Sequence, residues 1–161
     1  QLRTKREQGD SEARLVQLQS EAAFRESYRI LGEVVISHED YTSGRMFDDA
    51  ICNAFYPVDL HTRTGVRPVQ LEPVTVPRIP LRALIPQGSR NILVAGRSVS
   101  SDRLANSGLR VQAPCMAMGQ AAGAAAALAV QNESSPGDVP IEELRSLLRT
   151  HGAVVPSPDD V

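Results

Sequence analysis

Asn91–Arg103, "NILVAGRSVSSDR", decides how this chain is read. An apolar run stops at Gly96, Arg97 follows, and a loop of small hydroxyl residues leads on. Further along, from Pro114, comes "PCMAMGQAAGAAAALAV", almost nothing but small side chains. The apolar run, bounded by Gly88 and Gly96, predicts a buried strand over 91–95. Pro114 suits the first turn of a helix, predicted over 114–131. Strand, glycine and helix in that order are the grammar of an α/β fold, in which ligands gather beyond the carboxyl ends of parallel strands. Gly96 has no Cβ to hold a ligand away. The helix start offers unpaired N–H groups and a positive dipole end. Gly119 and Gly123 leave two bare patches on one helix face, where a ligand or another element can approach closely.

Outward from that unit, the composition sets bounds. A chain of 161 residues can bury one real core. With a formal net charge of -2 and no basic patch, it lacks the electrostatic footprint of a nucleic-acid binder. Cys52 and Cys115 lie far apart and form neither a metal spacing nor a disulfide scaffold; they read as buried thiols in a reducing, cytoplasmic setting. No uninterrupted apolar run reads as long enough to span a bilayer, because Gln120 breaks the alanine-rich stretch.

Two regions follow. Residues 1–86 begin with a charge-rich stretch that predicts an amphipathic helix after Gly9. "LGEVVI" then reads as a strand, and "SHED" as a helix start with Ser37 as cap and Asp40 supporting the first turn. Pro57, Pro68, Pro73, Pro77, Pro80 and Pro86 exclude a long helix and predict short extended arms. Residues 87–161 hold the strand, the long helix, and a terminal amphipathic helix predicted over 140–151, with Pro140 at its start and Gly152 at its stop.

For chemistry, His61 in "YPVDLH" is the acid–base candidate, since its unperturbed pKa lies near working pH. Asp59, two residues away, shares its face in an extended segment and can orient the imidazole. Arg110, just before the long helix, can supply positive charge or hold a substrate carboxylate, and Arg97 can bind ligand oxygens. Tyr56 can line the same site, though packing explains it as well. An ordinary βα unit with surface arginines fits these residues equally, and His61 fits a surface loop. Arg82 reads either as a ligand contact or as an ion pair. His38 reads as a solvent-facing residue near a helix start. His151 suits the dipole at a helix end. Asp48 and Asp49 are adjacent rather than stacked and suggest no metal pair.

The run "NILVAGRSVSSDRLANSGLRVQAPCMAMGQAAGAAAALA" closely resembles the carboxyl-terminal FAD-binding segment of the FAD-dependent oxidoreductase family, within the glutathione-reductase-like superfamily. "GRMFDDAICNAFYPVDLH", "PLRALIPQGSRNILVAGR" and "HGAVVP" resemble the family's other blocks in order, so the likeness covers roughly residues 29–156. It implies the C-terminal βα part of an FAD-binding, Rossmann-like domain with part of the substrate-side region. It further implies hydride transfer between a small organic substrate and flavin N5. Gly96 and Arg97 match the pair that meets the flavin's ribityl chain. Arg110, Val111, Gln112 and Ala113 match the turn into the helix that faces the flavin ring, where a helix dipole favours the anionic reduced form. Gly119 and Gly123 match that helix's close-packing positions.

Two departures stand out. Arg103 and Leu104 occupy places where the family often carries His-Glu, which leaves the substrate open. The GxGxxG turn that grips the ADP moiety occurs nowhere in these residues. The expectation is therefore a C-terminal portion completed by a nucleotide-binding half or partner chain. A non-catalytic partner that binds no FAD alone is the alternative, with exposed apolar faces on "NILVA" and on the alanine-rich helix, and room for homo-oligomers. An unrelated α/β binding module is the third reading.

Overall fold

The computed structural model describes residues 26, 28–62, 65–66 and 68–157. The amphipathic helix expected after Gly9 lies outside them. The first described helix, α1 (His38–Ser43), starts where "SHED" predicts. Ser37 Oγ accepts the Asp40 N–H at 3.0 Å, while Asp40 Oδ2 accepts the Ser37 N–H at 3.0 Å and its hydroxyl at 2.7 Å. Two donors that the helix start leaves open are thus satisfied reciprocally.

Strand β1 (Ala50–Asn53) is buried at Ala50, Ile51 and Cys52. It pairs antiparallel with β4 (Arg78–Pro80), with a register shift between Ala50 and Cys52. Between them, the described residues of the proline-rich arm form the short antiparallel pair β2 (His61–Thr62) and β3 (Gly65–Val66) and an isolated antiparallel bridge from Val58 to Val69. A single 3-10 turn follows at Leu81–Ala83. Missing N–H groups and fixed φ angles leave this stretch no longer regular element.

The long helix α3 (Gln112–Gln131) runs 20 residues, starting two residues before the expected bound. Its alanines favour helix intrinsically. Met118, Ala121, Ala125, Leu128 and Ala129 are buried at helical spacing. That stripe packs α3 against β1 and the terminal helix α4 (Ile141–Thr150). In contrast to the sequence reading, α3 is apolar and long enough by composition to cross a bilayer. Here its buried stripe belongs to the core shared with Ile51, Ile79, Leu84, Leu109 and Leu144. Arg145 of α4, 4% exposed, donates to the carbonyls of Ala50 at 3.0 Å and Asp48 at 2.9 Å and to Glu142 at 2.6 Å. It fastens α4 to the start of β1.

Three expectations need correction. Residues 91–95 form no strand: the Val94 N–H reaches the Leu84 carbonyl at 2.8 Å, yet no ladder forms and Ile92 is 55% exposed. An apolar run becomes a strand only when a neighbour pairs with it, and none does so among the described residues. "LGEVVI" likewise makes only isolated bridges, Gly32 to Pro86 and Ile36 to Ser101. The ladders present are antiparallel, and the parallel contact is that one bridge at Ile36. The chain therefore mixes helices with small antiparallel sheets, consistent with the α/β class.

A seven-residue helix, α2 (Arg103–Leu109), was not anticipated. Its Asn, Ser and Gly residues are weak helix formers. Asp102 caps it, accepting the Ala105 N–H at 2.8 Å, and tertiary packing buries Ala105 through Leu109.

Candidate functional site

After the 91–95 segment the chain turns at Gly96, whose φ of 83° lies in the left-handed region. A Cβ there would meet nothing within 4 Å among the described residues, which leaves the space beside it open to them. A 3-10 turn (Gly96–Ser98) then presents Arg97 outward. Asn106 on α2, 1% exposed, holds this turn from behind. Its Nδ2 donates to the Arg97 carbonyl at 3.3 Å and to Ser101 Oγ at 3.2 Å. A groove of about 500 Å³ opens here, lined by Gly96, Arg97, Arg110, Gln112 and Cys115.

The start of α3 forms one wall of that groove. Its N-cap, Val111, has no side-chain acceptor, and Pro114 has no N–H. The first-turn N–H groups of Gln112 and Ala113 are therefore open to water or a ligand, together with the positive end of a 20-residue helix. Val111 and Ala113 face a separate, smaller recess of about 160 Å³, shared with Asn53, Phe55 and Tyr56. So the six residues singled out around the helix start divide: four converge on one groove, and two line its neighbour. Burial pushes the Cys115 thiol up, and the nearby Arg97 charge opposes this only in part, so the thiol stays protonated at neutral pH.

Asp59 and His61 do come together. His61 Nε2 lies 3.4 Å from Asp59 Oδ2, with the imidazole partly exposed and the carboxylate largely covered. The Asp59 backbone is held on both sides: its N–H donates to Ser107 Oγ at 3.0 Å, and its carbonyl accepts from Arg110 Nη2 at 3.3 Å. The proline-rich arm that carries His61 is thereby tied to α2 and to the turn before α3. Asp59 Oδ1 is buried with no hydrogen-bond partner among the described residues.

Arg110 is the joint between the two clusters. Its side chain is 8% exposed, lines the groove, and binds Glu26 Oε2 through Nη1 at 3.2 Å. Glu26 was not among the sequence candidates, because it stands 84 residues from its partner. Ser107 and Asn106 were also missed. The available signal was a polar pair inside "RLANSGL", which makes sense in a buried helix only if each side chain has a partner.

The remaining candidates sort plainly. Arg82 forms a two-pronged pair with Asp49, at 3.1 Å on each prong, and its N–H donates to the same carboxylate at 2.8 Å. His38 begins α1, its N–H donating to Asp102 Oδ2 at 2.5 Å, with Nδ1 buried rather than facing solvent. His151 caps α4 and lies on a second groove beside Gly119 and Gly123. Those two glycines are exposed, and no described residue packs on them.

Comparison with known proteins adds one finding. The family model described as FAD dependent oxidoreductase matches residues 2–148, most of the chain. No curated protein and no solved structure matches it.

Proposed function

The chain belongs to the FAD-dependent oxidoreductase family, whose cofactor is FAD, and we propose that it supplies the flavin-facing and substrate-facing part of such an enzyme. One observation carries this reading: Gly96, Arg97, Arg110 and Gln112 line a single groove at the uncapped start of α3. The residues present fit the cofactor. The open space beside Gly96 admits a chain of polyol oxygens, and Arg97 and the Gln112 N–H are donors for them. When bound, the flavin would supply a hydride acceptor or donor at N5.

The protein's own groups do the rest. The Gln112 and Ala113 N–H groups and the helix dipole stabilise negative charge at the groove wall. His61 holds or releases a proton on its imidazole, whose Nε2 side the Asp59 carboxylate faces and orients. Ser107 and Arg110 fix Asp59 through its backbone, so the pair keeps its place without spending the carboxylate.

A second reading has its own support. Met116 is 74% and Val130 80% exposed, Ile92 is over half exposed, and the Gly119–Gly123 face is uncovered. Such surface fits a chain that completes a flavoprotein together with a nucleotide-binding partner and holds no FAD alone. A visible absorption spectrum of the purified chain, taken after adding FAD and removing the excess, separates the two. Retained flavin bands that weaken in Arg97→Ala support the first reading. A colourless protein overturns flavin binding by this chain alone and leaves the partner reading.

A further inference from the structure

One carboxylate sits among three guanidinium groups. Glu26 Oε2 accepts from Arg110 Nη1 at 3.2 Å, and Glu26 Oε1 accepts from Arg103 Nε at 3.1 Å. Arg29 Nη1 lies 3.6 Å from the same Oε1. The two arginines that make hydrogen bonds each take a different oxygen, the way a free carboxylate is held by paired donors. Two described acids nearby do not share the load. Asp59 meets Arg110 through its backbone carbonyl and turns its carboxylate to His61. Asp102 spends its carboxylate on the N–H groups of Ala105 and His38. Arg103 is 59% exposed at its side chain, so the outer edge of the cluster is open to solutes, whereas Arg110 forms its covered floor.

We propose that Arg103 and Arg110 form a binding site for an organic carboxylate, and that Glu26 is an internal occupant which such a ligand displaces. A ligand carboxylate offers the same two oxygens and would neutralise the same charges. The Arg110–Asp59 bond places the site beside His61. This inference deepens the proposed function, on which the word substrate rests, by giving that substrate a carboxylate. The site itself needs no flavin.

The test is a titration of the isotope-labelled 161-residue chain with sodium propionate at fixed ionic strength, following arginine Nε–H resonances by NMR. Removing the internal competitor raises the competent fraction, so Glu26→Gln is expected to tighten propionate binding about tenfold. Arg103→Gln, a substitution at an exposed side chain, is expected to abolish the saturable shift whether or not Glu26→Gln folds well. An unchanged propionate affinity in Arg103→Gln overturns the site. So does Glu26→Gln that lowers the melting temperature without tightening propionate, which marks the cluster as a structural ion pair. Equal binding of chloride overturns the carboxylate class. A chain that binds propionate but retains no FAD upholds the inference and fails the flavin reading, so the two are told apart.

Discussion

His61 and Asp59 illustrate what a single residue's neighbours add. Spacing alone puts them on one face of an extended segment, and the 3.4 Å contact follows. Their anchoring does not follow from spacing: Ser107 and Arg110 arrive from 48 and 51 residues away. If His61 carries the proton, His61→Ala in the flavin-loaded enzyme lowers turnover about 100-fold and removes one limb of the pH–rate profile. A profile and rate matching the parent would remove His61 from the mechanism. Gly108 makes a sharper structural case. A Cβ there would lie 2.3 Å from Tyr41 Oη, itself bonded to the Tyr56 carbonyl at 2.7 Å. Tyr41 is 1% exposed and has nowhere to go. Gly108→Ala is expected to cost about 2–3 kcal/mol, read from urea unfolding midpoints at constant slope.

Among the elements, α1 was the most legible. Its cap, its acidic first turn and its stop are all local, because a helix terminus is satisfied by side chains within a turn of it. Ser37→Ala is expected to cost about 1 kcal/mol, checked by thermal unfolding at neutral pH. The same box sets an acid response. Partial burial pushes the Asp40 carboxyl up, but bonds from Arg45 and from the Ser37 N–H and hydroxyl outweigh it and hold the group below its ordinary value. A carboxyl lowered in the folded state stabilises fully above the unfolded value and loses that contribution as pH falls through the folded one. Asp40→Asn should therefore flatten the decline in melting temperature below about pH 4, and an unchanged acid slope would contradict that. The elements that sequence misread are the opposite kind. Residues 91–95 and α2 depend on partners elsewhere: the first finds no paired neighbour among the described residues, and the second is helical because its weak formers are buried.

Across the whole molecule, Phe55, Met116 and Val154 are exposed apolar side chains that meet along one side of the long helix. A groove lined by Ile51, Phe55, Met116 and Val154 runs beside the one that holds Gly119 and Gly123, and Gln120 borders both. If a further protein surface covers this face, Met116→Gln should reduce concentration-dependent association in sedimentation velocity while leaving the melting temperature within about 1 °C, since the side chain is 74% exposed. Association that persists unchanged would place the contact elsewhere.

Sequence by itself determined the family, the α/β class, the capped start of α1, the proline-broken arm and the two long helices. These rest on local spacing, on caps and on residue chemistry that acts within a few positions. It also picked out Gly96, Arg97, Arg110 and Gln112, which share a groove. Only the tertiary structure decided that 91–95 pairs with no strand among the described residues, that Val111 and Ala113 face a different recess, and that Asn106 and Ser107 hold the two arms of the site. It alone brought Glu26 to Arg103 and Arg110 across 77 and 84 residues. Strand pairing and buried ion pairing draw their free energy from groups distant in the chain, so no local pattern announces them.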